Sequence, residues 1–264
     1  MSYEKLLAPM AAAAHEVGAY LTSAPRPAPA GSFDELRETF HAVERPAIDL
    51  VHRHVDPLVP GAPWAEELDT TAELPRTGAF WVVDVIDGAV QYLQGLPHFC
   101  VSLALVRDGE PVAAALHAPL LGETYLAAAG CGATRNGVAV TASAKTSLAA
   151  AVVGTSQPPL AAEQPEAVAE AGRSLGAVLP AVLAVRNLGP TSWQIADTGA
   201  GRLDAFWEYG RDDTNLLPGA LVAREAGALV TDAEGGRWRM GAKGFVAAPG
   251  GLHGALLGVL AGRA

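Results

Sequence analysis

The sequence predicts a mixed α/β fold in two halves, and two patterns along the chain indicate it. In the first half, two stretches with helical spacing precede apolar runs that are separated by short turns, which is typical of an antiparallel sheet. In the second half, strand-like runs alternate with helical stretches. The pattern changes near residues 141–150, so we predict an N-terminal half over residues 1–145 and a C-terminal half over residues 146–264 that together form one unit.

The N-terminal half begins with two predicted helices. Apolar residues recur at helical spacing over residues 3–21, and a Pro-rich segment then ends the first helix; the second covers residues 33–55. The predicted strands of this half are residues 78–84, 99–106, 111–117 and 123–128. An Arg-Asp-Gly-Glu turn at residues 107–110 joins the second of these strands to the third.

In the C-terminal half, the predicted strands are residues 151–156, 181–185, 203–207 and 244–248. The predicted helices are residues 161–176, 191–200, 216–226 and 252–260.

The charge balance excludes two classes of partner. The chain has 264 residues, with 18 Lys and Arg against 28 Asp and Glu, and a formal net charge of −10. This negative charge repels nucleic acid backbones and anionic membrane surfaces, so we expect neither as a partner. An acidic protein that binds phosphates needs bound cations, so composition alone raises the question of a metal.

The cysteine content and the N-terminus favour a cytoplasmic protein. Cys100 and Cys131 lack the short spacing of a zinc site, and we expect both to be small buried residues in a reducing compartment. The first 30 residues lack the basic and apolar regions of a signal peptide, and no apolar run approaches the roughly 18 residues of a membrane span.

A pair of carboxylates follows an apolar run. Asp84 and Asp87 lie three residues apart, and Gly88 then permits a sharp turn. Oxygen ligands at a strand end suit Mg²⁺, which commonly bridges carboxylates to a substrate phosphate. The alternative for such a bare D-x-x-D-G motif is a solvated turn in which an Asp side chain caps the backbone.

Five segments, in this order along the chain, are similar to segments of one known family. They are WVVDVIDG at residues 81–88, LPHFCVSLALVRDGEP at 96–111, GCGATRNG at 130–137, GRLDAFWE at 201–208 and GALVAREAG at 219–227. Together they resemble the inositol monophosphatase family, and the match extends from about residue 42 to the C-terminus.

The resemblance implies a five-layer αβαβα sandwich and a homodimer. It also implies Mg²⁺-dependent, Li⁺-sensitive hydrolysis of phosphomonoesters of inositol, sugars or nucleotides, in which a metal-activated water attacks in line. The partner it implies is therefore a small-molecule substrate.

The resemblance implies functional roles for the residues of this sequence that stand at the matching positions. Glu66, or its neighbour Glu67, matches an acidic metal ligand, and Asp84, the carbonyl of Ile86 and Asp87 match the motif that binds the principal Mg²⁺. These acids are also the residues that the resemblance implies in catalysis. The implied substrate-binding positions are Gly88, Ala89, Gly189, Thr191, Glu208 and Asn215.

Three positions depart from the family pattern. Ala89 stands where the family has a Thr that orients the attacking water, Asn215 where it has a carboxylate for the second metal, and Phe40 where it has an Asp. We therefore expect one principal Mg²⁺ site, a weakened second site and reduced phosphatase activity. Asp212 and Asp213 could replace the missing carboxylate, but acids in such a loop are more often solvated.

Two alternatives to a phosphatase remain open at this stage. One is a repurposed enzyme that performs a cyclisation or elimination in specialised metabolism on the same scaffold. The other is a binding or regulatory protein without catalytic activity, against which the intact pair Asp84 and Asp87 counts mildly.

Overall fold

The computed structural model describes residues 2–25, 30–66 and 74–262. Its α-helices are α1 (Leu7–Ser23), α2 (Phe33–Val55), α3 (Ala89–Leu93), α4 (Pro165–Val178), α5 (Thr191–Gly199), α6 (Asp213–Glu225) and α7 (Gly250–Leu260). Short 3-10 helices lie at Glu4–Leu6, Asp56–Leu58, Leu148–Ala150 and Ala161–Glu163. Its strands are β1 (Trp64–Glu66), β2 (Ala79–Asp87), β3 (Cys100–Arg107), β4 (Glu110–Ala118), β5 (Glu123–Ala128), β6 (Ala133–Arg135), β7 (Val138–Ala139), β8 (Val152–Thr155), β9 (Ala184–Arg186), β10 (Ala205–Tyr209), β11 (Leu229–Thr231) and β12 (Gly244–Ala248).

The strands form two sheets. The first holds seven strands in sequence order, β1 to β7, and only its β1–β2 pair is parallel. The second has the order β11-β12-β10-β8-β9, in which β8 pairs in parallel with both β10 and β9. The predicted antiparallel sheet in the first half is thus confirmed, with the short parallel strand β1 added at one edge and the short strands β6 and β7 at the other.

Three apolar cores separate five layers. One face of the first sheet packs on α1 and α2, and its other face packs on the central pair α5 and α6. The second sheet covers the opposite side of this central pair, and α4 and α7 pack on its outer face. This order of layers is the predicted αβαβα sandwich.

Local signals explain why α2 has the predicted bounds. The side chain of Ser32 accepts a hydrogen bond from the backbone N–H of Glu35, and the Glu35 carboxylate accepts one from the N–H of Gly31 at 2.8 Å. Such reciprocal capping fixes a helix start. Within the part of the chain that the structure describes, no helix combines the length and the apolar character needed to cross a membrane.

Two expectations need correction. The strand predicted to end at Asp84 continues to Asp87, because both acids still pair with β3. Cys131 is exposed, whereas Cys100 is buried as expected. Cys131 lies in the turn between β5 and β6, where its thiol does not reach a core.

The central helices α5 and α6 cross at two glycines. A Cβ on Gly219 would lie 2.6 Å from the backbone oxygen of Ser192, and one on Gly199 would lie 2.9 Å from the Cα of Ala223. Side chains cannot occupy such positions, so the two backbones approach closely only because both residues are glycine.

A polar contact ties α5 to the first sheet. The buried hydroxyl of Tyr125 on β5 donates a 2.8 Å hydrogen bond to Asp197 on α5, and Arg202 approaches the same carboxylate to 3.0 Å. Burial raises the pKa of Asp197, while Tyr125 and Arg202 oppose that rise. Because Tyr125 and Arg202 both contact it, the Asp197 carboxylate holds α5 against the first sheet without leaving a buried charge unpaired.

We predict that Gly219→Ala lowers the free energy of unfolding by about 1–3 kcal/mol, because the added methyl group overpacks the helix crossing. Gly172 on α4 is the matched control, since a Cβ there has open space around it. Gly172→Ala should raise stability by up to about 1 kcal/mol through helix propensity. Denaturant titration measures both, and equal effects of the two variants would contradict the close crossing.

A second prediction concerns acid stability. His117 and His15 both hydrogen-bond to the hydroxyl of Thr124, at 3.0 and 2.9 Å, with their ring centres 4.4 Å apart. Burial, and then the neighbouring His15, lower the pKa of His117 to about 4. The unfolded chain, with a histidine pKa of about 6.5, therefore binds this proton more readily than the folded one.

The contribution of His117 to stability is complete above a pH of about 6.5 and is lost as the pH falls toward about 4. We expect His117→Gln to flatten this fall in the free energy of unfolding, measured by denaturant titration at several pH values. Parallel pH profiles for the original protein and the variant would contradict this assignment.

Candidate active site

The paired acids lie at the end of β2 and are buried. The register between β2 and β3 shifts between Asp84 and Asp87, so the strand bulges there. Only 8% of Asp84 and 4% of Asp87 is exposed. Asp84 Oδ1 accepts a 2.9 Å hydrogen bond from the N–H of Ile86, so the side-chain cap is present, but the turn is not solvated as the alternative interpretation required.

The glycine that follows brings a second segment against the acids. Gly88 has a left-handed φ of 89°, and a Cβ there would lie 3.0 Å from the backbone oxygen of His98 and 3.2 Å from Pro190 Cγ. A side chain at Gly189 would collide with Gln91. The turn before α5 can therefore approach the end of β2 because Gly88 carries no side chain.

Asp87 is held by a hydroxyl and a thiol. Ser192, in the first turn of α5, donates a short hydrogen bond to Asp87 Oδ2, and Cys100 Sγ lies 3.8 Å from the same oxygen. Burial and the charge of Asp87 raise the pKa of the Cys100 thiol well above its usual value. The thiol therefore stays protonated and donates to the carboxylate.

Glu208 on β10 presents a buried carboxylate from the second sheet. Only 2% of the residue is exposed, and neither carboxylate oxygen accepts a hydrogen bond from the described residues. Asp212 and Thr191 lie close enough to act on its charge, and both lower its pKa. Burial, and then the charge of Asp87, raise the pKa of Glu208.

Thr191 opens α5 between these acids. Its hydroxyl donates a 2.8 Å hydrogen bond to the hydroxyl of Ser156, and the residue is buried. The first N–H groups of a helix carry partial positive charge, so the N-terminus of α5 favours a negatively charged or polar group here.

The burial of Asp212 differs from what the sequence predicted. A solvated loop acid was expected, but only 3% of Asp212 is exposed, and its Oδ1 accepts a 2.8 Å hydrogen bond from Asn215 Nδ2. Asp213 faces the other way, since its carboxylate accepts hydrogen bonds from the N–H of Gly241 at 2.9 and 3.0 Å. Asn215, itself buried, thus directs Asp212 inward.

Three other positions singled out from the sequence add no described polar side chain to the site. Glu66 lies on β1, where its backbone pairs with Val83, but its side chain and the whole of Glu67 lie outside the described residues. Ala89 begins α3 and is partly buried, with no hydroxyl to offer. Phe40 packs in the core between α1, α2 and the first sheet.

The structure therefore brings Asp87, Thr191 and Glu208 from three elements to one place. Two residues hold Asp87. The resemblance places Ser192, within the small-residue turn at residues 189–192, beside the substrate, but its hydrogen bond to Asp87 was not predicted. Sequence reasoning missed Cys100, which no local signal marked.

The donor types suit a hard cation, because buried carboxylates and a backbone carbonyl are oxygen ligands. Across residues 2–25, 30–66 and 74–262, no three His, Cys, Asp or Glu side chains are placed to hold a metal ion together. The arrangement therefore offers paired acids for Mg²⁺, which commonly uses one or two carboxylates with water and substrate phosphate.

Comparisons with known proteins identify several that are similar to this chain. An inositol-1-monophosphatase of Rhizobium meliloti is 39% identical over 157 residues, which are 59% of this chain and 58% of that protein. The Nus factor SuhB of Pseudomonas aeruginosa is 34% identical over 155 residues, 59% of this chain and 57% of that protein. The matched stretches thus span less than two thirds of these relatives. The solved extragenic suppressor protein suhB of Bartonella henselae superposes with a TM-score of 0.81 at 26% identity, covering 97% of this chain and 99% of that one.

A family model also matches most of the chain. The model of the inositol monophosphatase family covers residues 38–262, which include both sheets and every described residue of the candidate site. The chain therefore belongs to the inositol monophosphatase family.

Proposed function

We propose that this protein is a Mg²⁺-dependent phosphomonoesterase that hydrolyses a small phosphorylated polyol, sugar or nucleotide at a reduced rate. The observation that carries the proposal is the set of buried acids, Asp84, Asp87 and Glu208, around the N-terminus of α5. Membership of a family of Mg²⁺-dependent phosphatases supports it, as does the Rhizobium meliloti relative, which is named an inositol-1-monophosphatase.

The acids of β2 are the proposed cation ligands. Asp84, Asp87 and the carbonyl of Ile86, with Glu66 from the neighbouring β1, would hold the principal Mg²⁺. When bound, Mg²⁺ activates a water molecule and offsets the charge of the phosphate. Ser192 fixes the orientation of Asp87 through its hydrogen bond, so this carboxylate is ordered before any ligand enters.

The α5 side of the site is the proposed substrate side. The backbone at Gly88, Ala89 and Gly189 lies beside the acids, and the N–H groups at Thr191 suit a phosphate or a polyol. Glu208 has two buried oxygens without hydrogen bonds, so it can accept from a substrate hydroxyl. A polar group without a partner in a buried position costs free energy until a ligand meets it.

The proposed reduced rate rests on Ala89. This residue follows the acid motif directly and has no oxygen with which to orient an attacking water. Water-orienting and acid–base groups each contribute about 10²–10⁴-fold in rate, so the missing hydroxyl lowers turnover substantially. Asn215 can bind the substrate or a cation through its amide oxygen but brings no charge.

The proposal includes a cytoplasmic homodimer. The family resemblance supports the dimer, and two free cysteines support a reducing compartment. Light scattering of the purified protein tests the dimer, since a monomer mass would overturn that part of the proposal.

We predict that Asp84→Asn lowers Mg²⁺-dependent phosphate release by at least about 10²-fold, because it removes one charge from the principal cation site. Release is measured across a panel of polyol, sugar and nucleotide monophosphates. Asp49→Asn, at an exposed position on α2, is the control and should leave release unchanged. Equal activities for the two variants would contradict the role of Asp84.

We also predict that Ala89→Thr raises turnover by about 10²-fold on the best substrate of the panel, because it adds the missing hydroxyl. Ala89→Val has nearly the same shape without the hydroxyl and should give no gain. Ordinary turnover by the unaltered protein would contradict the reduced rate, and a panel with no phosphate release even from Ala89→Thr would favour a repurposed enzyme.

A further inference from the structure

Three arginines converge on one carboxylate at the start of β4, and we call them the arginine cluster. Glu110 Oε2 lies 3.0 Å from both Arg224 Nη1 and Arg237 Nη2. Glu110 Oε1 lies 3.7 Å from Arg239 Nη1. Within the part of the chain that the structure describes, the three arginines form no other ion pair. Three positive charges therefore face one negative charge, in a chain whose formal net charge is −10.

Two nearby acids do not offset this surplus of positive charge. The Asp108 carboxylate accepts a 2.8 Å hydrogen bond from the N–H of Gly78, and the Asp232 carboxylate accepts one of the same length from the N–H of Gly236. Neither carboxylate forms an ion pair with the arginine cluster. The cluster therefore keeps a local excess of positive charge.

The cluster combines one ordered arginine with two accessible ones. The Arg224 side chain is only 18% exposed, its Nη2 donates a 2.9 Å hydrogen bond to the carbonyl of Trp238, and its guanidinium carbon lies 5.9 Å from the centre of the Trp238 ring. Burial lowers the pKa of Arg224, the carboxylate of Glu110 opposes that fall, and the charges of the two other arginines add to it. Those two, Arg237 and Arg239, have side chains that are 61% and 74% exposed, so a ligand can reach them from solvent.

The cluster lies at the opposite end of the first sheet from the paired acids of the candidate site. Glu110 pairs with Arg107, which in turn pairs with Ala79 at the start of β2, whereas Asp87 ends β2. Because β2 holds 9 residues and a strand rises about 3.3 Å per residue, the two places are roughly 25 Å apart. A ligand of the cluster would therefore occupy a separate site.

We propose that the arginine cluster binds a phosphate-class oxyanion between the exposed guanidinium groups of Arg237 and Arg239, with Arg224 behind them. A guanidinium group presents paired N–H donors that match two oxygens of such an anion, and its charge is permanent. This second anion site does not depend on the proposed phosphatase activity.

Two arguments favour a small oxyanion. One arginine suffices to hold the loop before β12 against β4, and further like charges around the same carboxylate repel each other, so a purely structural contact does not explain the cluster. A nucleic acid would experience the negative charge of the whole protein, whereas a small oxyanion responds mainly to charges within the screening length of about 10 Å.

The test is a calorimetric titration of the whole protein with sodium phosphate in the presence of EDTA, so that no divalent cation holds phosphate at the buried acids. We expect phosphate binding at millimolar concentration that weakens with added NaCl. Arg239→Gln should weaken it by about tenfold, because one charge-assisted contact is lost. Arg37→Gln is the matched control and should leave binding unchanged, since Arg37 is also exposed, at 59%, but pairs one-to-one with Asp34.

Titration with glycerol phosphate separates the two sources of the phosphate group. Tighter binding of glycerol phosphate than of inorganic phosphate would support a phosphorylated metabolite as the ligand, and the reverse order would support free phosphate. Absence of phosphate binding, equal losses in Arg239→Gln and Arg37→Gln, or binding of a polyglutamate peptide without binding of phosphate would each overturn the inference. Mg²⁺-dependent phosphate release tests the proposed function separately, so either proposal can fail alone.

Discussion

Asp87 and Glu208 belong to different sheets, yet both are buried against the N-terminus of the same helix, α5. Taking a carboxylate out of water costs several kcal/mol unless positive charge or hydrogen bonds compensate. For Asp87 the hydroxyl of Ser192 and the thiol of Cys100 provide part of that compensation. For Glu208, burial and then the charge of Asp87 raise the pKa, while Asp212 and Thr191 oppose that rise.

This junction depends on close backbone contact. Gly88 allows the turn before α5 to reach the end of β2, and Gly199 and Gly219 allow α5 and α6 to cross without side chains between them. Asp212, which precedes α6, lies close to Glu208 of β10, and Asn215 in the first turn of α6 bonds to it. The apolar core between the two sheets therefore determines the spacing of the acids, and packing changes there act on the site as well as on stability.

The sequence predicted the fold well because its signals are local. The period of apolar residues, the turn at residues 107–110 and the cap before α2 each act over a few residues, and the predicted helix over residues 33–55 agrees with the structure. Asp84 and Asp87 could also be identified from the sequence, because they lie three residues apart after one apolar run. Asp212 did not, because two adjacent acids near a glycine resemble a solvated loop, and only contacts with α6 and β10 bury one of them. Cys100 gave no signal either, since its role comes from pairing opposite Asp87 across the sheet.

The burial of Asp212 and the neutral side chain of Asn215 depend on each other. A carboxylate at position 215 would face Asp212 across the 2.8 Å that now joins an amide donor to its acceptor, and two like charges at that distance in a buried site repel strongly. The amide of Asn215 removes this repulsion and adds a hydrogen bond that holds Asp212 in place. Asp212 can therefore be buried because residue 215 is neutral. A buried carboxylate at position 212 and a neutral amide at position 215 therefore stabilise each other at the start of α6.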